Sequence, residues 1–78
     1  MQGFTSPPLP AYAPHLTDRE MQVLELLAQG MNSGQVATAL SISRRTAETH
    51  RAHVLAKFGA HTTVVLVRLA IRYGVIKP

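Results

Sequence analysis

The chain has no cysteine, so neither a disulfide nor a thiolate metal site can reinforce its core, and its redox compartment is left open. It is also short of acid: four Asp plus Glu stand against eight Lys plus Arg, a formal net charge of +4. That imbalance favours a polyanionic partner, nucleic acid or an anionic membrane surface, without choosing between them. Long apolar runs are missing too. The longest, Val64 to Val67, is far too short to cross a bilayer, and the N-terminus lacks the apolar stretch of a secretion signal. No strand pattern and no internal repeat is present. At 78 residues the chain supports one domain, and folding at that size buries only about 60% of the unfolded surface, which argues against a large active-site cleft. A small, soluble, cytoplasmic protein with no membrane partner is expected.

What is present is organised by helix signals. Met1 to His15 holds Pro7, Pro8, Pro10 and Pro14 with Gly3 and Ser6, which predicts a flexible Pro-rich tail or linker over 1–15, leaving 16–78 as the folded domain. A first helix should begin near Asp18, with Thr17 as N-cap, Glu20 completing a capping box and Asp18 favouring the positive end of the dipole. Its apolar residues Met21, Val23, Leu24, Leu27 and Ala28 recur at helical spacing, and Gly30 predicts a stop near Gln29. Asn32 or Ser33 can cap a second helix over 34–40, and Ser43 a third over 44–58 that stops at Gly59. Thr62 caps a fourth, ending at Gly74. In that helix Leu66, Val67, Ala70 and Ile71 can face inward, while Val64, Val65 and Leu69 share a flank with Arg68 and Arg72. The flank has two readings, a more deeply buried helix or a helix-to-helix dimer contact.

Helices two and three are separated only by Ser41, Ile42 and Ser43, and Ala37 is small where a neighbouring helix must come close. This is a helix-turn-helix, the arrangement by which a small protein places a helix in the DNA major groove. If Ala47, His50, Val54, Leu55 and Phe58 face the core at steps of three and four, then Arg45, Glu48, Thr49 and Ala52 project together on the opposite face. Their chemistry suits base edges: paired hydrogen bonds from Arg45 to guanine, acceptance by Glu48 from the cytosine amino group, and thymine methyl contact from Thr49 and Ala52. Arg44, Thr46, Arg51, His53 and Lys57 flank that row and suit phosphate positioning. Ser33, Gly34 and Gln35 open helix two, where unpaired amides favour an anion. Two bland readings stay open: an ordinary solvated surface with an Arg45 to Glu48 ion pair, and Lys57 as an internal partner of Glu20, itself taken as structural.

The segment LTDREMQVLELLAQGMNSGQVATALSIS followed by RRTAETHRAHVLAKFGA resembles the LuxR-type (GerE-like) helix-turn-helix domain, as in the C-terminal effector domain of NarL-type response regulators. The resemblance covers Leu16 to Ile76. It implies a compact all-α domain of four helices around a central helix-turn-helix, bacterial and nucleoid-associated, controlling transcription as a homodimer on a near-palindromic site. The family's closing helix, here LVRLAIRYGVI, carries the dimer contact in relatives, which points to Val64, Val65, Arg68, Leu69 and Arg72. RNA polymerase or an upstream receiver domain is the further partner so implied. Glu48 and Gly34 stand where relatives often carry Lys, Ala47 replaces a common Val, and Thr62 and Thr63 replace an Asn-Arg pair. Thr62 and Thr63 are still expected at the phosphates, with contacts that are either weaker or passed to backbone amides and hydroxyls.

Other functions find little in the chain. His50 and His53 lie three apart on one helix, but His15 and His61 are elsewhere and no carboxylate cluster completes a metal site, so no metal and no cofactor is expected. Ser41, Ser43 and His50 lack an orienting carboxylate and a water-excluding pocket, so no enzyme is expected either. The alternative from a different class is a protein-interaction module, motivated by the reduced charge at Gly34 and Glu48.

Overall fold

The computed structural model describes residues 13–78. Most of the expected tail, residues 1–12, therefore lies outside the described residues. Four helices follow in order: α1 Asp18–Ala28, α2 Ser33–Leu40, α3 Arg44–Phe58 and α4 Thr63–Arg72. The residues at their ends explain where they start. Thr17 and Glu20 form the reciprocal capping box of α1, with the Glu20 amide donating to Thr17 Oγ1 at 3.1 Å and the Thr17 amide to Glu20 Oε1 at 2.9 Å. Asn32 and Gln35 repeat the device for α2, both bonds being 2.9 Å. Ser43 caps α3 and Thr62 caps α4, each accepting from the amide three residues on.

Each helix is followed by a residue at positive φ, Gly30, Ser41, Gly59 and Gly74 in turn, and in α2 and α3 that residue is the C-cap itself. Gly59 closes α3 at φ +65°, where a glycine carries no steric penalty. The turn between α2 and α3 instead places Ser41 at φ +56°, a conformation that costs an L-residue about 1–2 kcal/mol. Sequence spacing gave no sign of this. The turn is locked behind it, because the Ile42 amide donates to the Ala37 carbonyl at 3.0 Å and Ile42 packs on the core.

All four helices contribute to one core. Val23, Leu24 and Leu27 of α1, Val36 and Ala37 of α2, Ala47, Val54 and Phe58 of α3, and Leu66 and Ala70 of α4 are buried together. The Phe58 and Tyr73 rings meet at 5.9 Å between centroids, pinning the end of α3 against the end of α4. Beyond α4, Val75 and Ile76 pack against the same cluster. The inward stripe of α4 is rotated from the one expected. Leu66 and Ala70 are buried; Leu69, Tyr73, Val67 and Ile71 are all half-buried, but of these Leu69 and Tyr73 pack against the core cluster, so Leu69 leans on the core rather than standing wholly on the free flank. Val64 and Val65 remain exposed, at 63% and 42%.

Leu66 is fully buried in the fourth helix, so truncation leaves a cavity that so small a core absorbs poorly. Leu66→Ala is expected to cost about 2–5 kcal/mol, read as a lower urea midpoint with an unchanged slope. A loss below about 1 kcal/mol would show that α4 is not part of the cooperative core.

Candidate nucleic-acid interface

Helix α3 is held on one face and free on the other. Ala47, Val54 and Phe58 are buried, with His50 and Leu55 half-buried beside them. Arg45, Glu48, Thr49 and Ala52 are all exposed. Thr49 Oγ1 donates to the Arg45 carbonyl at 3.0 Å, which engages the hydroxyl proton within the helix and leaves the methyl as the free group. Arg45 has no side-chain hydrogen bond or ion pair among the described residues, so its guanidinium fork is available for recognition from outside.

The flanking residues are brought together on one side. Asn32, Ser33, Arg44, Glu48, Arg51 and Thr63 line a shallow, open groove of about 400 Å³ where the starts of α2, α3 and α4 converge. Glu48 therefore lies at the border of the base-facing row. Its carboxylate pairs with Arg44, at 3.5 Å, and not with Arg45 as the simple surface reading had it. Arg44 and Arg45 stand four and three residues before Glu48, both neighbours on the helix surface, so the rotamers decide the partner. Both side chains are more than half exposed, so the pair is worth only a few tenths of a kcal/mol and yields readily to another partner.

Several phosphate candidates prove to be engaged within the domain. Arg51 donates from Nε and Nη2 to Thr63 Oγ1 at 3.3 and 3.1 Å, so two of the expected contacts hold each other. The Gln35 amide is already taken by Asn32, which leaves Ser33 and Gly34 as the open amides of α2. A Cβ at Gly34 would meet only Asn32 Oδ1, at 3.4 Å, so the domain's own packing does not require glycine there. Thr46 Oγ1 accepts from Ser43 Oγ at 2.8 Å, and Thr62 Oγ1 from the Val65 amide. His53 is exposed. Among the described residues no group of three His, Cys, Asp or Glu side chains is placed to hold a metal ion.

The family pattern described as "Bacterial regulatory proteins, luxR family" matches residues 14–70. The chain belongs to the LuxR family. It carries that family's helix-turn-helix DNA-binding domain, and the family is one of transcription regulators rather than enzymes. It is 44% identical over 59 residues to the transcriptional regulatory protein FixJ of Rhizobium meliloti, covering 76% of this chain and 29% of FixJ. It is 40% identical over 60 residues to the response regulatory protein YgeK of Escherichia coli, covering 77% of this chain and 41% of YgeK. Among solved structures, the Vibrio cholerae VqmA–ligand–DNA complex aligns with a TM-score of 0.72 at 38% identity, covering 77% of this chain and 26% of that one. The chain thus spans less than half the length of these relatives.

In this LuxR-family domain Lys57 is exposed, yet its ammonium turns back to α1. Its Nζ lies 2.6 Å from Glu20 Oε1 and also donates to the His15 carbonyl at 3.0 Å. The internal reading of Lys57 is therefore the one its contacts satisfy, and it leaves the phosphate set. Glu20 is buried, and its carboxyl is held below the ordinary 4.5 chiefly by the hydrogen bond from Lys57, then by that from the Thr17 amide, against the opposing effect of burial.

A depressed carboxyl contributes stability above its unfolded value and loses it as pH falls through the folded one. Lys57→Met is expected to cost about 1–3 kcal/mol at pH 7, since it strands a buried charge that still keeps its Thr17 bond. The gap to wild type should close as pH drops below the ordinary 4.5. Urea midpoints at several pH values measure it, and a gap independent of pH would contradict the pairing.

Proposed function

We propose that the chain is a sequence-specific transcriptional regulator that places α3 in the major groove and binds a near-palindromic site as a homodimer through α4. The observation that carries this reading is the exposed row Arg45, Glu48, Thr49 and Ala52, with Arg45 unengaged among the described residues, on a helix whose other face is fixed in the core. Arg45 reads guanine, the Thr49 and Ala52 methyls meet thymine, and Glu48 accepts from cytosine once Arg44 turns to a phosphate. Ser33, Gly34, Thr46, His53 and Thr62 supply further backbone contacts beside Arg44. In the dimer, Val64 and Val65 meet their counterparts with Val67 and Ile71 beside them, and Arg68 and Arg72 form the rim. Leu69 supports this face from behind. The setting is the bacterial cytoplasm, on the nucleoid, with a receiver domain or RNA polymerase as further partners.

Random-site selection with the purified domain should return a site with two-fold character. Arg45→Ala should then cost about 1–3 kcal/mol on that site and relax preference at one base of each half. Binding should weaken steeply with salt, because phosphate neutralisation releases counterions. Selection that returns no preferred sequence, together with a stoichiometric protein partner, would favour an interaction module instead.

Val64→Glu places a charge on the exposed flank without touching the core. It should leave thermal unfolding within a few °C of wild type while abolishing cooperative occupancy of the two half-sites, read by sedimentation and gel shift. A variant that still binds as a dimer would move the pairing surface elsewhere.

A further inference from the structure

We infer that the contact between Arg51 and Thr63 is a positioning tie, setting the angle of the reading helix against the first turn of α4 without either side chain touching DNA. This rests on the DNA reading above. Arg51 sits on α3 between Thr49 and Ala52 in sequence, yet its guanidinium turns away from the base-facing row. Two of its donors converge on one oxygen across a sequence separation of 12, in a partly buried setting where water competes less well. The planar guanidinium is suited to this, because its donors are fixed relative to one another.

Thr63 is free to accept. The cap of α4 is supplied by the preceding residue, Thr62, whose hydroxyl takes the Val65 amide. The Thr63 hydroxyl therefore has no capping duty, and among the described residues it bonds to Arg51 alone. A second anchor joins the C-terminal ends of the two helices, where Phe58 meets Tyr73, while Arg51 reaches from the middle of α3 to the first residue of α4. One anchor alone leaves a pivot, whereas two separated anchors define an angle. The axes of α3 and α4 bend by 53° across the short connection, so the backbone link does not enforce parallel packing.

The angle matters because α4 carries the proposed pairing flank and α3 the reading row. A two-fold site demands that two reading helices enter successive grooves at a fixed spacing, so a loosened α3 to α4 angle penalises the paired operator more than a random duplex. Arg51 and Thr63 thereby couple pairing to reading.

The test compares Thr63→Val with wild type on the selected operator and on a random duplex, since this change removes the acceptor and leaves every charge in place. The expected result is about tenfold weaker operator binding, random-duplex binding within about twofold of wild type, and an unchanged slope of log affinity against log salt. Thr63→Ser, which keeps the hydroxyl, should restore operator affinity. Thermal unfolding of both variants within a few °C of wild type separates positioning from loss of the fold. Operator binding unchanged in Thr63→Val, or a loss that Thr63→Ser does not repair, overturns the tie. So does a salt slope reduced by about one in Arg51→Ala beside a silent Thr63→Val, which would make Arg51 a phosphate contact. A wild-type domain that prefers no duplex overturns the DNA reading and this role with it, whereas wild-type preference that survives Thr63→Val overturns the role alone.

Discussion

Two small buried residues, Ala37 on α2 and Ala47 on α3, constrain the rest of the domain. They allow the arms of the helix-turn-helix to share one core with only three residues between them, and the short turn then fixes which side of α3 faces out. A larger side chain at either position would push the helices apart and rotate the row at 45, 48, 49 and 52 relative to the core. The left-handed Ser41 follows from the same constraint. The chain has to reverse within three residues, and the packing of Ile42 and the bond to the Ala37 carbonyl hold a serine where a glycine would sit without strain.

The electrostatics follow from that geometry. Of the cations on α3, Lys57 is held by a buried carboxylate, Arg44 by an exposed one and Arg51 by a hydroxyl, while Arg45 is unengaged among the described residues. These commitments differ in strength. The Lys57 pair has a buried carboxylate under an exposed lysine and ties α3 to the start of α1, so it acts in folding. The Arg44 pair is exposed and weak, so an incoming phosphate can take Arg44 and release Glu48.

The helices were legible in the sequence because their signals are local. The Thr17 and Glu20 box, the Ser43 and Thr62 caps and the glycine after α3 each act within four residues, and each stands where spacing put it. The outward row of α3 was legible for the same reason, as a consequence of helical periodicity. What spacing could not supply was long-range: that Arg51 reaches Thr63, that Lys57 reaches the His15 carbonyl, and that α4 leans Leu69 on the core in place of Val67 and Ile71. These depend on how α4 crosses α3, which periodicity leaves free. The choice of Arg44 over Arg45 as the partner of Glu48 was missed although it is local, because both neighbours satisfy helical spacing and rotamers decide between them.

The central claim, that the outer row of α3 enters a DNA groove, is tested most directly by titrating the labelled domain with its selected duplex and following amide resonances. The account predicts shifts concentrated at residues 44–53 and at the starts of α2 and α4, with the first turns of α1 unmoved. Shifts centred on α1, or an α3 that stays silent while the duplex binds, would contradict it.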